Sequence, residues 1–148
     1  LALIKSELTF EEGSQAKRDR PLQGQSPYVL NAGLQYESLE NGWFGSVVLN
    51  RIGRRLAFAG VDPQFGDTRQ DIYEEPRTVL DFQVGKNIGK FNLKLTLGDL
   101  LKQDLTYYQD ANGDGKFNSS GGNVLENDRL MFQFKNGFTT SLTVGYTF

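Results

Sequence analysis

The sequence contains no cysteine and no histidine among its 148 residues. Without cysteine there is no disulfide framework, no thiolate nucleophile and no thiolate metal site. Without histidine the commonest general base and the commonest metal ligand are missing. Ser-His-Asp triads, zincin helices and zinc fingers are therefore excluded. No run of about 18 apolar residues occurs, so no segment reads as a transmembrane helix. Charge of one sign is hardly in excess: 16 basic and 18 acidic residues leave a formal net charge of −2. That balance predicts no general attraction to nucleic acid or to anionic membranes. Apolar residues at helical spacing are also missing over any convincing length.

What the chain has is a period of two. Ser141-Leu142-Thr143-Val144-Gly145-Tyr146-Thr147-Phe148 places apolar residues at even positions and small or hydroxylated residues at odd ones. Such alternation gives a strand with one oily and one polar face. Six runs of roughly ten residues share it, each followed by a turn or loop. The first covers Leu1 to Phe10, with Ile4, Leu8 and Phe10 opposite Lys5, Glu7 and Thr9. The second covers Tyr28 to Tyr36, with Tyr28, Leu30, Ala32, Leu34 and Tyr36 on the apolar side. The third runs from Trp43 to about Phe58. Three consecutive apolar residues, Val47-Val48-Leu49, interrupt its alternation, so periodicity assigns no face there. The fourth, Thr78 to Gly85, sets Leu80, Phe82 and Val84 against Asp81 and Gln83. The fifth runs from Phe91 to about Tyr108 and slips at Asp99-Leu100-Leu101, where a bulge is expected. The sixth runs from about Leu130 to Phe148.

Connections alternate in length. Residues 38–42, with Asn41-Gly42, and residues 86–90 form short turns. Residues 11–27, 61–77 and 109–128 form long polar loops. Ordinary mean hydropathy, ten-residue alternating strands and loops sorted by length describe antiparallel transmembrane β-barrel strands, with periplasmic turns and extracellular loops. A soluble sandwich can share the alternation but does not usually sort its loops this way. Arg51, Arg54 and Arg55 are expected in the lumen or above the membrane, since a lipid-facing Arg at mid-bilayer costs roughly 2–4 kcal/mol.

Five segments stand out in order: "RPLQGQSPYVLNAGLQYE" (Arg20 to Glu37), "LNRIGRRLAFAG" (Leu49 to Gly60), "DIYEEPRTVLDFQVGKNIGKFNLKLTLGDLLKQ" (Asp71 to Gln103), "YYQDANGDGKF" (Tyr107 to Phe117) and the terminal "YTF". Together they resemble the last strands of TonB-dependent outer-membrane receptors, the group with a carboxypeptidase-regulatory-like N-terminal domain. The resemblance implies an all-β fold. Residues 1–148 would be the last six strands of a barrel of about 22, with the plug domain absent from this chain. It implies active nutrient import across the outer membrane of a Gram-negative cell, with no catalysis in this segment. The implied partners are the remaining barrel and plug, TonB through that plug, the barrel-assembly machinery, lipid and lipopolysaccharide, and a surface lipoprotein lid; nucleic acid is not among them. The resemblance also makes Leu142, Val144, Tyr146 and Phe148 an assembly signal. A small independent outer-membrane barrel and a secreted calcium-binding β-domain for adhesion are the alternatives.

Asp110, Asn112 and Asp114, followed by Gly115, have the spacing of the front half of an EF-hand calcium loop. The twelfth position is Gly121 instead of Glu, and Glu126 or Asp128 would have to loop back. The plainer reading is an Asn-Gly/Asp-Gly turn. No other cofactor is expected. "KRDR" (Lys17 to Arg20) reads as a solvated loop tip, or as a contact for lipopolysaccharide phosphates or for an acidic ligand. Arg18, Arg20, Asp67, Arg69 and Asn118 are the candidate extracellular-loop residues. Asp71, Glu74 and Glu75 form an acidic cluster in which no catalytic pair is expected. Trp43 and Tyr107-Tyr108 are expected in interfacial aromatic girdles.

Overall fold

The computed structural model describes residues 2–3, 21–60, 71–110, 116–118 and 128–148. Among them there is no helix; every regular element is a strand paired antiparallel. The strands are β1 (Ala2–Leu3), β2 (Tyr28–Glu37), β3 (Trp43–Ile52), β4 (Arg55–Phe58), β5 (Ile72–Glu74), β6 (Arg77–Ile88), β7 (Phe91–Gly98), β8 (Leu105–Gln109), β9 (Arg129–Phe134) and β10 (Thr139–Tyr146). One sheet has the order β1-β2-β3-β6-β7-β10 and a second the order β4-β5-β8-β9. The first sheet is open, with β1 and β10 as its edges.

The two orders correspond. β3 continues into β4, β5 into β6, β7 into β8 and β9 into β10, so neighbours in one sheet remain neighbours in the other. The fold is an up-and-down meander whose four long passes all break between the sheets. Pro76 separates β5 from β6, and its missing N–H cannot join a ladder. Between β7 and β8 the expected single bulge is a longer interruption. Asp99 and Lys102 both take left-handed backbone, with φ of 52° and 51°. The Asp99 N–H donates to Asp81 Oδ1 at 2.9 Å, and the Leu100 N–H donates to the Leu80 carbonyl at 2.9 Å. The third, fifth and sixth runs are thus each two strands.

Register settles the faces. Leu34 stands opposite Val47, Val47 opposite Phe82, Phe82 opposite Leu97, and Leu97 opposite Thr140. One step along, Gln35, Ser46, Gln83, Thr96 and Ser141 form the matching polar row. Val47 and Leu49 therefore lie on the apolar face, while Val48 points the other way, between Gly33 and Asp81. Of the first run, Ala2 and Leu3 pair with Val29 and Tyr28, and residues 4–10 lie outside the described residues.

Both short turns lie at one end. Gly42 has φ +64°, the left-handed backbone that its Asn-Gly turn requires. The Asn87 N–H donates to the Gly42 carbonyl at 2.8 Å, and the Thr147 N–H to the Lys90 carbonyl at 2.9 Å. The long connections leave from the opposite end, beyond β4, β5, β8 and β9.

Candidate functional site

The apolar face of the six-stranded sheet is the dominant surface. Among the described residues only Leu56 and Tyr108 are buried apolar side chains, and both belong to the second sheet. On the first sheet Leu34 is 80% exposed and Leu142 70%. The alternation that normally turns side chains into a core here turns them onto a surface that the described residues leave uncovered. Patches larger than a few hundred Å² mark contact with a membrane or another chain. The polar face is knit by side-chain amides: Asn50 donates to Asn31, and Asn92 Nδ2 donates to Asn87 Oδ1 at 2.6 Å.

Aromatic rings gather at the turn end of the apolar face. Phe91 and Tyr146 have ring centroids 5.1 Å apart, and Phe148 meets Tyr146 edge-on at 5.2 Å. Lys86 Nζ lies 4.7 Å from the Trp43 ring centroid, and Lys90 Nζ 6.0 Å from that of Tyr146. Leu142, Val144 and Tyr146 face Leu95, Leu93 and Phe91 across the β7–β10 ladder, so these three assembly-signal candidates share the apolar face. Phe148, the fourth, is fully exposed beyond the end of β10.

No family model, curated protein or solved structure matches the chain.

The second sheet carries the polar packing. Arg54 Nη2 bonds Asp110 Oδ2 at 2.6 Å, and the guanidinium lies 3.6 Å from the Tyr73 ring centroid. Tyr108 packs on Phe117 at 5.2 Å. Burial is the main reason its hydroxyl pKa is pushed up to about 12; Arg54 pulls it down, while Asp110, Glu75 and Asp128 push it further up. Tyr107 stands against Phe132 and Phe134, at 5.9 and 6.3 Å. The pair Tyr107-Tyr108 therefore does not act as one girdle element. Adjacent strand residues point to opposite faces, so Tyr107 joins the exposed aromatic cluster and Tyr108 is buried.

The acidic cluster disperses. Glu74 is held by Arg55 at 2.7 Å, and Asp71 accepts the Gly60 N–H at 2.7 Å. Burial raises the pKa of Glu75, whose backbone N–H donates to the Thr106 carbonyl at 3.0 Å. Arg55 opens β4 in the second sheet, and Arg54 immediately precedes it. Arg51 stands at the loop-end margin of the apolar face, in register with Leu30 and Thr78, and its Nε donates to the Tyr28 hydroxyl at 3.4 Å.

Of the calcium candidates, Asp110 is bonded to Arg54, whereas Asn112 and Asp114 lie outside the described residues. Among the described residues no group of three or more carboxylates is placed to hold a metal ion. Arg18, Arg20, Asp67 and Arg69 also lie outside the described residues. Asn118 is described: its N–H donates to Asp128 Oδ2 at 2.7 Å, and the Asp128 N–H donates to the Asn118 carbonyl at 3.1 Å.

Phe44 has no counterpart in the sequence reading. It is aromatic yet belongs to the polar face, opposite Gly85. A Cβ built on Gly85 would run into the Phe44 ring and would come within 2.7 Å of the Leu93 carbonyl oxygen. The ring thus covers the bare glycine across the strand, a pairing visible only once register is known.

Proposed function

We propose that this chain is part of the wall of an outer-membrane β-barrel, the C-terminal strands of a TonB-dependent receptor that imports a nutrient. The observation that carries the reading is a single-layer antiparallel meander with an uncovered apolar face and a polar face opposite. A ten-residue strand is about 33 Å long, and at the usual tilt it rises through the roughly 25 Å apolar band of an outer membrane. The turn-end aromatics take the place of an interfacial girdle, and the second sheet stands beyond the band as the base of the long loops. The edges β1 and β10 need neighbours, because unpaired backbone groups in lipid cost several kcal/mol each. The remainder of the barrel supplies them. The role of the segment is to complete the wall, display loops and take part in assembly; no chemical step is assigned to it.

Topology is the test. Because the sequence has no cysteine, a single introduced thiol is an unambiguous reporter within it. Cysteine at Asn41 should resist a membrane-impermeant maleimide on whole cells, while cysteine at Ser119 should react. Reversed labelling would overturn the assignment.

The assembly-signal role is tested at Phe148. Its ring touches Tyr146 and is otherwise exposed, so little folded-state packing depends on it. Phe148→Ala, and more strongly deletion of 146–148, should lower the amount in the outer membrane, while inserted molecules keep nearly normal heat resistance. Normal insertion with much earlier melting would make Phe148 a structural staple instead.

A further inference from the structure

The apolar face is not smooth. Gly45 lies between Tyr36 on β2 and Val84 on β6, and it offers no side chain between these larger neighbours. Trp43 and Val47, two residues to either side on β3, and Phe82 on β6 close the rim. The result is an open hollow of about 380 Å³ with an apolar lining. At its turn end stands one cation. Lys86 is the register partner of Trp43, with its Nζ 4.7 Å from the indole centroid. Lys86 takes part in neither of the ion pairs Arg54–Asp110 and Arg55–Glu74.

A slot of hydrocarbon lining bounded by an indole, with an ammonium 4.7 Å from that ring, has the chemistry of one phospholipid molecule. An acyl chain fills the slot, and the phosphate meets the lysine where the indole N–H has access to water. We propose that the hollow over Gly45 is a binding site for a single anionic phospholipid, with Lys86 as the head-group contact. This rests on the reading of the face as lipid-exposed and adds to it a preferred lipid at a fixed place. The occupant is a phospholipid rather than lipopolysaccharide because, on that reading, the short turns face the periplasmic leaflet. The net charge of −2 gives no general pull on anionic lipid, so any preference comes from this local arrangement.

Trp43 is the one tryptophan of the sequence, and it lines the hollow. Its fluorescence can therefore report the occupant. The protein is reconstituted in phosphatidylcholine vesicles that carry a small fraction of phospholipid brominated on its acyl chains. The signal is taken as the difference from Trp43→Phe. Brominated phosphatidylglycerol should quench Trp43 more than the same fraction of brominated phosphatidylcholine, by an affinity ratio on the order of fivefold, the usual worth of one lysine beside an anionic head group. Lys86→Gln should bring the two lipids level, without touching the packing of the hollow. Gly45→Leu should fill the slot and remove the excess quenching. A Cβ there comes within 3.0 Å of the Gln83 carbonyl oxygen, so Lys86→Gln is the variant that decides if Gly45→Leu misfolds. Equal quenching by both lipids in the unaltered protein would overturn the site while leaving the lipid-facing reading intact. No quenching by either would overturn both.

Discussion

Leu95→Arg is expected to keep the protein out of the membrane, or to leave the inserted fraction far less stable, whereas Thr96→Arg one residue along should insert nearly normally. Leu95 is central on an internal strand. It stands between Val84 and Leu142 on the apolar face. Thr96 lies between Gln83 and Ser141 on the polar face. An arginine at the lipid midplane costs about 2–4 kcal/mol, a factor of roughly 30 to 1,000 in the folding equilibrium. On the polar face, the lumen side of the proposed barrel, it would keep its water. The measurement is folding into vesicles of defined lipid, with urea unfolding of the inserted protein. A third variant separates lipid from a second protein layer. If the face meets lipid, lipid simply moves around the bulk that Leu95→Trp adds, and the variant should be tolerated. Against a packed partner sheet the same overpacking would cost about 1–3 kcal/mol. If Leu95→Trp is as damaging as Leu95→Arg, the face is a protein interface and the barrel-wall reading falls.

Gly85→Ala should be the most damaging small substitution on the polar face. Gly85 is buried under the Phe44 ring, and an added methyl has the Leu93 carbonyl oxygen, a backbone atom, 2.7 Å away on its other side. The ladder cannot move one strand aside without breaking bonds on both sides of β6. The expected loss is about 1–3 kcal/mol in urea unfolding of the inserted protein. Phe44→Ala should cost less, and the double variant should recover part of the Gly85→Ala loss, because the ring is gone while the carbonyl remains. Strictly additive losses would mean that the ring and the glycine are not coupled. Gly33→Ala is the control. A Cβ at Gly33 meets nothing nearer than 3.7 Å, so its effect should be small.

The alternation in the sequence by itself determined the strands β2, β6, β7 and β10 and their faces. It also marked both short turns, through Asn41-Gly42 and residues 86–90, although the second is tighter than expected: Lys86 to Ile88 stay paired in β6 and only Gly89-Lys90 turn. That much is legible because the direction of a side chain follows from the pleat of its own strand, and a tight turn from its own few residues. Where the pattern runs three apolar residues together, at Val47-Val48-Leu49, the pleat alone leaves the face open. Only pairing with β2 and β6 sends Val48 away from its neighbours. The common break of the four passes was equally hidden. Asp99 turns left-handed where its N–H is held by Asp81, a residue from the preceding strand, and no local periodicity carries that information. The pairing of Glu74 with Arg55 and the covering of Gly85 by Phe44 are of the same kind. Each depends on which residue lies across the ladder, and register is set by hydrogen bonds between segments far apart in the chain. Tertiary structure also decided that, among the described residues, the sheet stands as one layer with its apolar rows uncovered. A sequence period of two is the same whether the oily face meets a second sheet or lipid, and only the arrangement of the other strands tells the two apart.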